Sequence, residues 1–367
     1  MNVCTIDEQM KREEGGEGAP QPRPLLGYWA AQEQYLMQDL LKFVVEAEKG
    51  GFTTTMTSDH FHPWWHDNAF GNFTWIWIAA AAEERTKKMH FTTGVIAPVY
   101  RYHPAIIAQA FASLDALYPG RIGLGLGTGE AMNETPLGFE WPSPKVRLAR
   151  TKEAIDIIKS LWKEEEEEGK NNENGFVTYN GAYYHIHNAK LYTPPVSHHI
   201  PIYLAAAGSQ STKVAAQCSD GLITYLKPEK AKDVLMRFDK AARASGKNPQ
   251  SLEKIAEYKV SYSEDYDRAF ESTKFWRATL IENVFNSKIA DPRKLQQKAK
   301  KEVSDEMLKE SIQVTSSIED CIRSIEKYFD AGFTRVYVHS TSPEEVKFVQ
   351  TFCKKALSYF MTSKSEK

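Results

Sequence analysis

Eight short apolar runs recur along the chain, and each is followed by a stretch with helical spacing. Strands alternating with helices build parallel sheets, and eight such units are what a closed (β/α)8 barrel requires. The runs span 25–30, 53–58, 91–97, 122–127, 200–206, 221–226, 255–263 and 334–340. After the first, Leu36, Leu40, Leu41, Val44 and Val45 share one helical face, and Gly50-Gly51 stops it. Further helices are expected over 73–88, 105–117 and 145–166. An open doubly wound sheet is the alternative, but eight units at this spacing favour an α/β fold of the TIM-barrel type.

With 367 residues, the chain exceeds an ordinary domain but suits one barrel with insertions. Residues 1–24 are polar, with Gly and Pro, and are expected to be a flexible leader without the apolar core of a secretory signal. Residues 25–360 then form one barrel domain. Insertions are expected at about 164–195 and 264–316. The first begins with five Glu, residues 164–168, expected to be a solvated helix end. It continues into an alternating stretch over 176–192 around Asn180-Gly181, a hairpin signal. The second is a long helical excursion, and in barrels such insertions shape the substrate mouth.

A net charge of −2 gives no basic excess for phosphate neutralisation, so nucleic acid is not an expected partner. No run of 18 apolar residues exists, so no membrane span is expected. Cys4, Cys218, Cys321 and Cys353 form no C-x-x-C pair and are expected to be reduced thiols of a cytoplasmic protein.

Barrel enzymes carry their reactive groups at the C-terminal ends of strands. The second strand ends in Ser58-Asp59-His60, followed by a loop holding His62, Trp64, Trp65, His66 and Asp67. The third ends in Gly94-Val95, and the fourth in Gly127-Thr128-Gly129-Glu130. Glu33 follows the first. An imidazole among carboxylates suits proton transfer near neutral pH. An Asp-His pair also serves as a helix cap beside a structural histidine, but strand-end position, Trp64 and a facing Glu130 weigh toward chemistry. A metal-dependent barrel hydrolase is the competing class, built on His60-x-His62 with His66, Asp67 and His339. Strands five to seven end without His, which leaves its ligand shell incomplete.

The glycine series from Gly123 to Gly129 lacks the Lys of a phosphate loop. Gly127 and Gly129 would instead let a planar cofactor approach the backbone. Ala206-Ala207-Gly208-Ser209 precedes a helix, so a cofactor phosphate could sit there, although tight packing explains the small residues equally well.

The runs SDHFHPWWHDN (58–68) and RYHPAIIAQAFASLDALYPGRIGLGLGTGEAMNE (101–134) resemble the luciferase-like family, and within it the branch of dehydrogenases that use the deazaflavin coenzyme F420. The resemblance covers about residues 25–360. It implies a bacterial-luciferase-type barrel, a homodimer, and a deazaflavin lying across the strand ends. It implies His60 as the base for the substrate hydroxyl, Trp64 lining the reacting carbon, Glu130 near the deazaflavin N1, and Glu33 in the active site. Asp59, Gly94, Val95, Thr128, Gly129 and Asn133 match cofactor contacts, with a cis peptide at Gly94-Val95. Hydride would pass between the carbinol carbon and C5 of the cofactor.

The substrate expected is an alcohol or its ketone. Sugar-phosphate members of the branch use basic residues where ungapped matching places Tyr225, Asn286 and Glu310 here. Lys227 and Lys288 lie near in sequence and could compensate. Trp276 matches a pocket aromatic, or packs a helix. The balance favours a non-phosphorylated secondary alcohol, with glucose 6-phosphate as the alternative.

Overall fold

The computed structural model describes residues 25–163, 172–173 and 175–362. The expected leader and the run of five Glu lie outside these residues. Twelve strands occur among those described: β1 Leu25–Ala30, β2 Thr54–Thr57, β3 His90–Thr93, β4 Ile122–Leu126, β5 Asn172–Glu173, β6 Phe176–Asn180, β7 His185–Ala189, β8 Ile202–Ala205, β9 Gly221–Thr224, β10 Glu253–Tyr262, β11 Gln313–Thr315 and β12 Arg335–Ser340.

Eight of them close a parallel barrel in the order β1-β2-β3-β4-β8-β9-β10-β12, with β12 returning to β1. All eight apolar runs of the sequence supply one barrel strand each, within a few residues of the expected ends. The period of two along each strand separates two cores. On β1, Tyr28 faces outward against Phe52, while Trp29 faces inward with Met56, Tyr203, Ile223, Ile255 and Tyr337. Burying a large apolar side chain contributes about 1.5–3 kcal/mol. The inward set therefore fixes the strand register, because a slip of one residue would exchange it with the set packed under the helices and mismatch both cores. At the opposite end from the site, Arg335 pairs with Glu253 (2.9 Å), and Tyr337 bonds Thr54 (2.8 Å).

Several boundaries differ from expectation for local reasons. The helix expected over 73–88 is α-helical only over Thr74–Ala80 and then widens into a π turn, Ala81–Arg85. In the β6–β7 hairpin Asn180 pairs with His185, so the loop is residues 181–184 rather than the Asn-Gly dipeptide. Glu153 shapes that loop by accepting from the amides of Ala182, Tyr183 and Tyr184. The excursion expected to be helical contains a strand, β11, which extends the sheet beside the end of β10. Among the described residues, no helix is long and apolar enough to cross a membrane.

Candidate active site

The turn after β1 and the end of β2 are tied together before any reactive group is placed. Gln32 donates its side-chain amide to Thr57 Oγ1 (2.8 Å) and its backbone N–H to Ser58 Oγ (2.9 Å). With its oxygen so occupied, Ser58 donates its hydroxyl to Glu33 Oε2. This holds a buried glutamate, 2% exposed, at the barrel's C-terminal end. His60 Nε2 lies 3.5 Å from Glu33 Oε1.

The other side of His60 is held by a four-residue helix, Ala131–Glu134, which starts directly after Glu130. Asn133 accepts from the backbone N–H of Phe61 at Oδ1 (2.8 Å). Its amide nitrogen lies 3.1 Å from His60 Nδ1 and 3.0 Å from Glu130 Oε2. Glu33, His60, Asn133 and Glu130 therefore form one continuous polar line.

Asp59 points elsewhere. Its carboxylate takes Arg101 Nη2 at 2.5 Å and faces the Tyr102 hydroxyl at 3.4 Å. Burial pushes the Asp59 carboxyl up, and the Arg101 guanidinium opposes that shift. The Arg101 backbone N–H donates to Glu134 (2.7 Å). Burial pushes the Glu134 carboxyl up to about 7, and its second oxygen has no hydrogen-bond partner among the described residues.

Aromatic rings complete the circumference of the mouth. Ring centroids follow one another from His60 to Trp64 (5.8 Å), Phe285 (5.4 Å), Tyr225 (6.5 Å), Trp29 (6.5 Å), His339 (5.4 Å) and Trp276 (4.5 Å). Trp276 Nε1 donates to Gln34 Oε1 (3.0 Å), which adjoins Glu33 and closes the circuit. His339 Nδ1 bonds buried Glu257, and Lys259 lies 3.5 Å from the same carboxylate and 4.6 Å from the Trp276 ring. Burial pushes the His339 imidazole down despite that carboxylate. Tyr225 is 41% exposed, toward the mouth. Desolvation and the carboxylates of Glu257, Glu130 and Glu33 nevertheless hold its phenol well above its ordinary value.

The wall between β3, β4 and β8 is nearly free of side chains. The Gly94–Val95 peptide is cis. A Cβ on Gly127 would stand 2.5 Å from Val95 Cγ2, and one on Gly129, whose φ is +74°, would stand 2.8 Å from Ala97 Cβ. Only glycine keeps this surface flat. Thr128 lies between them, half-buried. Ala206 is buried beside the wall, while Ala207, Gly208 and Ser209 are exposed. Gly208 caps the helix Ser209–Cys218 without a side-chain hydrogen bond, which leaves its first-turn amides facing outward.

The residues expected at the far end of the substrate do not all converge. Asn286 Oδ1 is taken by buried Arg147 Nη2 (2.9 Å), which also reaches the Phe285 carbonyl (3.3 Å). Glu310 is exposed, and its backbone carbonyl accepts from Lys227 Nζ. Nor do the residues of the hydrolase alternative converge. His62 turns to the Ala290 carbonyl (3.0 Å), Asp67 to Gln296, and His339 stands across the mouth. No group of three His, Cys, Asp or Glu among the described residues could hold a metal. Arg101, Glu134, Gln34, Glu257 and Phe285 were not identified from sequence. Arg101 and Glu134 lie at the two ends of the second motif, which was the available signal; Phe285 carried none.

Comparison with known proteins agrees with this architecture. The model of the family described as luciferase-like monooxygenase matches residues 26–335. The F420-dependent glucose-6-phosphate dehydrogenase of Microbacterium testaceum is 35% identical over 329 residues, covering 89% of this chain and 94% of its own. The solved structure of an F420-dependent secondary alcohol dehydrogenase in complex with an F420–acetone adduct superposes with a TM-score of 0.84 at 36% identity, covering 90% of this chain and 98% of its own. The coenzyme F420-dependent tetrahydromethanopterin reductase of Methanopyrus kandleri shares the fold, with a TM-score of 0.74 at 19% identity, covering 92% and 99%.

Proposed function

The chain belongs to the luciferase-like family, and from that premise we propose a coenzyme F420-dependent dehydrogenase that oxidises a non-phosphorylated secondary alcohol or reduces its ketone. Homologous dehydrogenases along almost the whole chain make it an F420-dependent oxidoreductase acting on CH–OH donors. The residues present fit that cofactor. The flat wall at Gly94, Val95, Gly127 and Gly129 suits a planar tricycle. The uncapped amides at 208–209 suit an anionic tail. The bound deazaflavin supplies a carbon that accepts or returns a hydride.

The protein contributes position, dryness and proton handling. Trp64, 4% exposed and edge-on to His60, excludes water from the carbinol. The Glu33–His60 pair holds the substrate hydroxyl and manages its proton. Glu130, fixed by Asn133, faces the opposite end of the polar line and stabilises charge on the cofactor side.

One observation carries the substrate class: the mouth is a closed circuit of aromatic rings with carboxylates behind it. Lys259, the cation beside the Trp276 ring, is engaged by Glu257. A phosphate dianion there would meet Glu33, Glu130 and Glu257 at low dielectric. The identity of the glucose-6-phosphate dehydrogenases favours a second reading, in which Lys227 leaves the Glu310 carbonyl to meet a phosphate. The test is F420 reduction, followed by absorbance, with 2-propanol and with glucose 6-phosphate at one cofactor concentration. At least about a tenfold higher kcat/KM for the alcohol is expected, or 1.4 kcal/mol. Preference for the phosphate would overturn the substrate class, and no cofactor binding would overturn the reading itself.

The family resemblance extends the reading to a homodimer. A cytoplasmic setting suits the thiols, since burial pushes Cys321 and Cys353 each up to about 12 and leaves them unreactive.

A further inference from the structure

We propose that Asn133 fixes His60 as a hydrogen-bond donor, so that Glu33 rather than His60 takes the substrate's hydroxyl proton. The inference rests on the dehydrogenase reading above, and it follows from the bonds around one side-chain amide.

The Phe61 backbone N–H can only donate, so the Asn133 atom it meets at 2.8 Å is the oxygen. The NH2 group must then face the other way. It has two protons and two neighbours, Glu130 Oε2 at 3.0 Å and His60 Nδ1 at 3.1 Å. A carboxylate oxygen accepts, and so must His60 Nδ1. A neutral imidazole that accepts at Nδ1 carries its proton at Nε2. That proton points to Glu33 Oε1, 3.5 Å away. An imidazolium would set an N–H against the Asn133 N–H.

His60 therefore presents a donor to the mouth, whereas a base must present a lone pair. Glu33 presents the acceptor. The separation of 3.5 Å is longer than a good N–H···O bond, so a hydroxyl oxygen can bridge the two groups. In the oxidation, the O–H bond breaks and its proton passes to Glu33. The C–H bond gives its hydride to the cofactor of that reading, and the C=O bond forms while accepting from His60 Nε2–H. Ketone reduction reverses each transfer. Asn133 is a positioning residue in this scheme, and Glu33 and His60 are the catalytic pair.

The test reads the imidazole directly. The full-length protein is labelled with 15N-histidine, His60 is assigned with a His60→Gln variant, and its ring nitrogens are recorded with and without F420. A protonated Nε2 and a bare Nδ1 at neutral pH are expected in both; a proton at Nδ1 would overturn the proposal. In Asn133→Asp, the new carboxylate keeps the Phe61 contact but accepts from Nδ1–H, so the tautomer should invert. Turnover at saturating F420 should fall at least about tenfold. An unchanged tautomer, or unchanged turnover at saturating cofactor, would remove Asn133 from this role. Glu33→Gln should lose at least about a hundredfold in kcat while binding F420 normally. Near-normal kcat would return the base role to His60. The tautomer is visible without cofactor or substrate, so the proposal can fail while the dehydrogenase reading stands, and the reverse.

Discussion

Glu345 offers a pH-dependent stability that the structure makes quantitative. It stands in the first turn of the helix Glu345–Phe352, 5% exposed. It accepts from Tyr28 Oη (2.9 Å) and Ser340 Oγ (2.5 Å). Burial nevertheless pushes its carboxyl up to about 7, with those hydrogen bonds opposing the shift. The ordinary glutamate value is near 4.5. The folded protein therefore holds this proton more tightly than the unfolded chain does. Stability from this group is complete below the unfolded value and is lost as pH rises through the folded one. A gap of about 2.5 units at 1.36 kcal/mol per unit is about 3 kcal/mol, of which about 2 kcal/mol falls between pH 5.5 and pH 8. Glu345→Gln removes the titration but keeps an acceptor for Tyr28 or Ser340. Urea unfolding of both proteins across that range should show the variant gaining on the wild type by about 2 kcal/mol at the alkaline end. A difference that stays constant with pH would refute the reasoning. Glu134, also raised to about 7, titrates in both proteins and cancels in the comparison.

Two further perturbations probe the site's surroundings. Arg101→Met strands the Asp59 carboxylate, whose side chain is 1% exposed, and should cost about 3–5 kcal/mol in urea unfolding. Adding Asp59→Asn should restore much of that loss, and additive effects in the double-mutant cycle would deny a paired role. Tyr225→Lys puts a cation beside Phe285 at the rim and should lower KM for a phosphorylated alcohol about fivefold or more, or about 1 kcal/mol. An unchanged ratio of KM values for the phosphorylated and plain alcohols would show that Tyr225 does not face the substrate.

The barrel was legible in the sequence because its cause is periodic. Each strand's apolar run is local, and the inward residues Trp29, Met56, Ile223, Ile255 and Tyr337 come from those runs. The short strand β11 was not legible, because its three residues carry no period and pair only after the excursion has folded back beside β10. Within the site, Glu33, His60, Trp64 and Glu130 could be named because barrel topology places strand ends together, whatever their separation along the chain, whereas Asn133 was named only through the family resemblance. The bonds between them could not be named. That Ser58 donates to Glu33, or that the Asn133 amide turns its nitrogen to His60, depends on which neighbour has a spare donor. The Gln32 and Phe61 backbone N–H groups decide this.

The same distinction governs the far end of the substrate. Tyr225, Asn286 and Glu310 were paired with the phosphate-binding positions of relatives by their place in the chain. Tyr225 follows β9 directly, so the barrel fixes it, and it joins the aromatic circuit as a strand-end residue must. Asn286 and Glu310 lie in the excursion, where no barrel strand holds the register. Arg147 decides the first: its Nη2 donates to the Asn286 side-chain oxygen and to the Phe285 carbonyl together, while Nη1 is held by the Pro142 carbonyl. This pulls Asn286 toward the helix Pro144–Trp162 and leaves Phe285 over Tyr225, 6.5 Å between centroids. One buried arginine thus exchanges a polar residue for an aromatic one at the rim. It is Phe285, absent from every motif, that makes this end of the pocket apolar, and the proposed alcohol substrate rests on that ring.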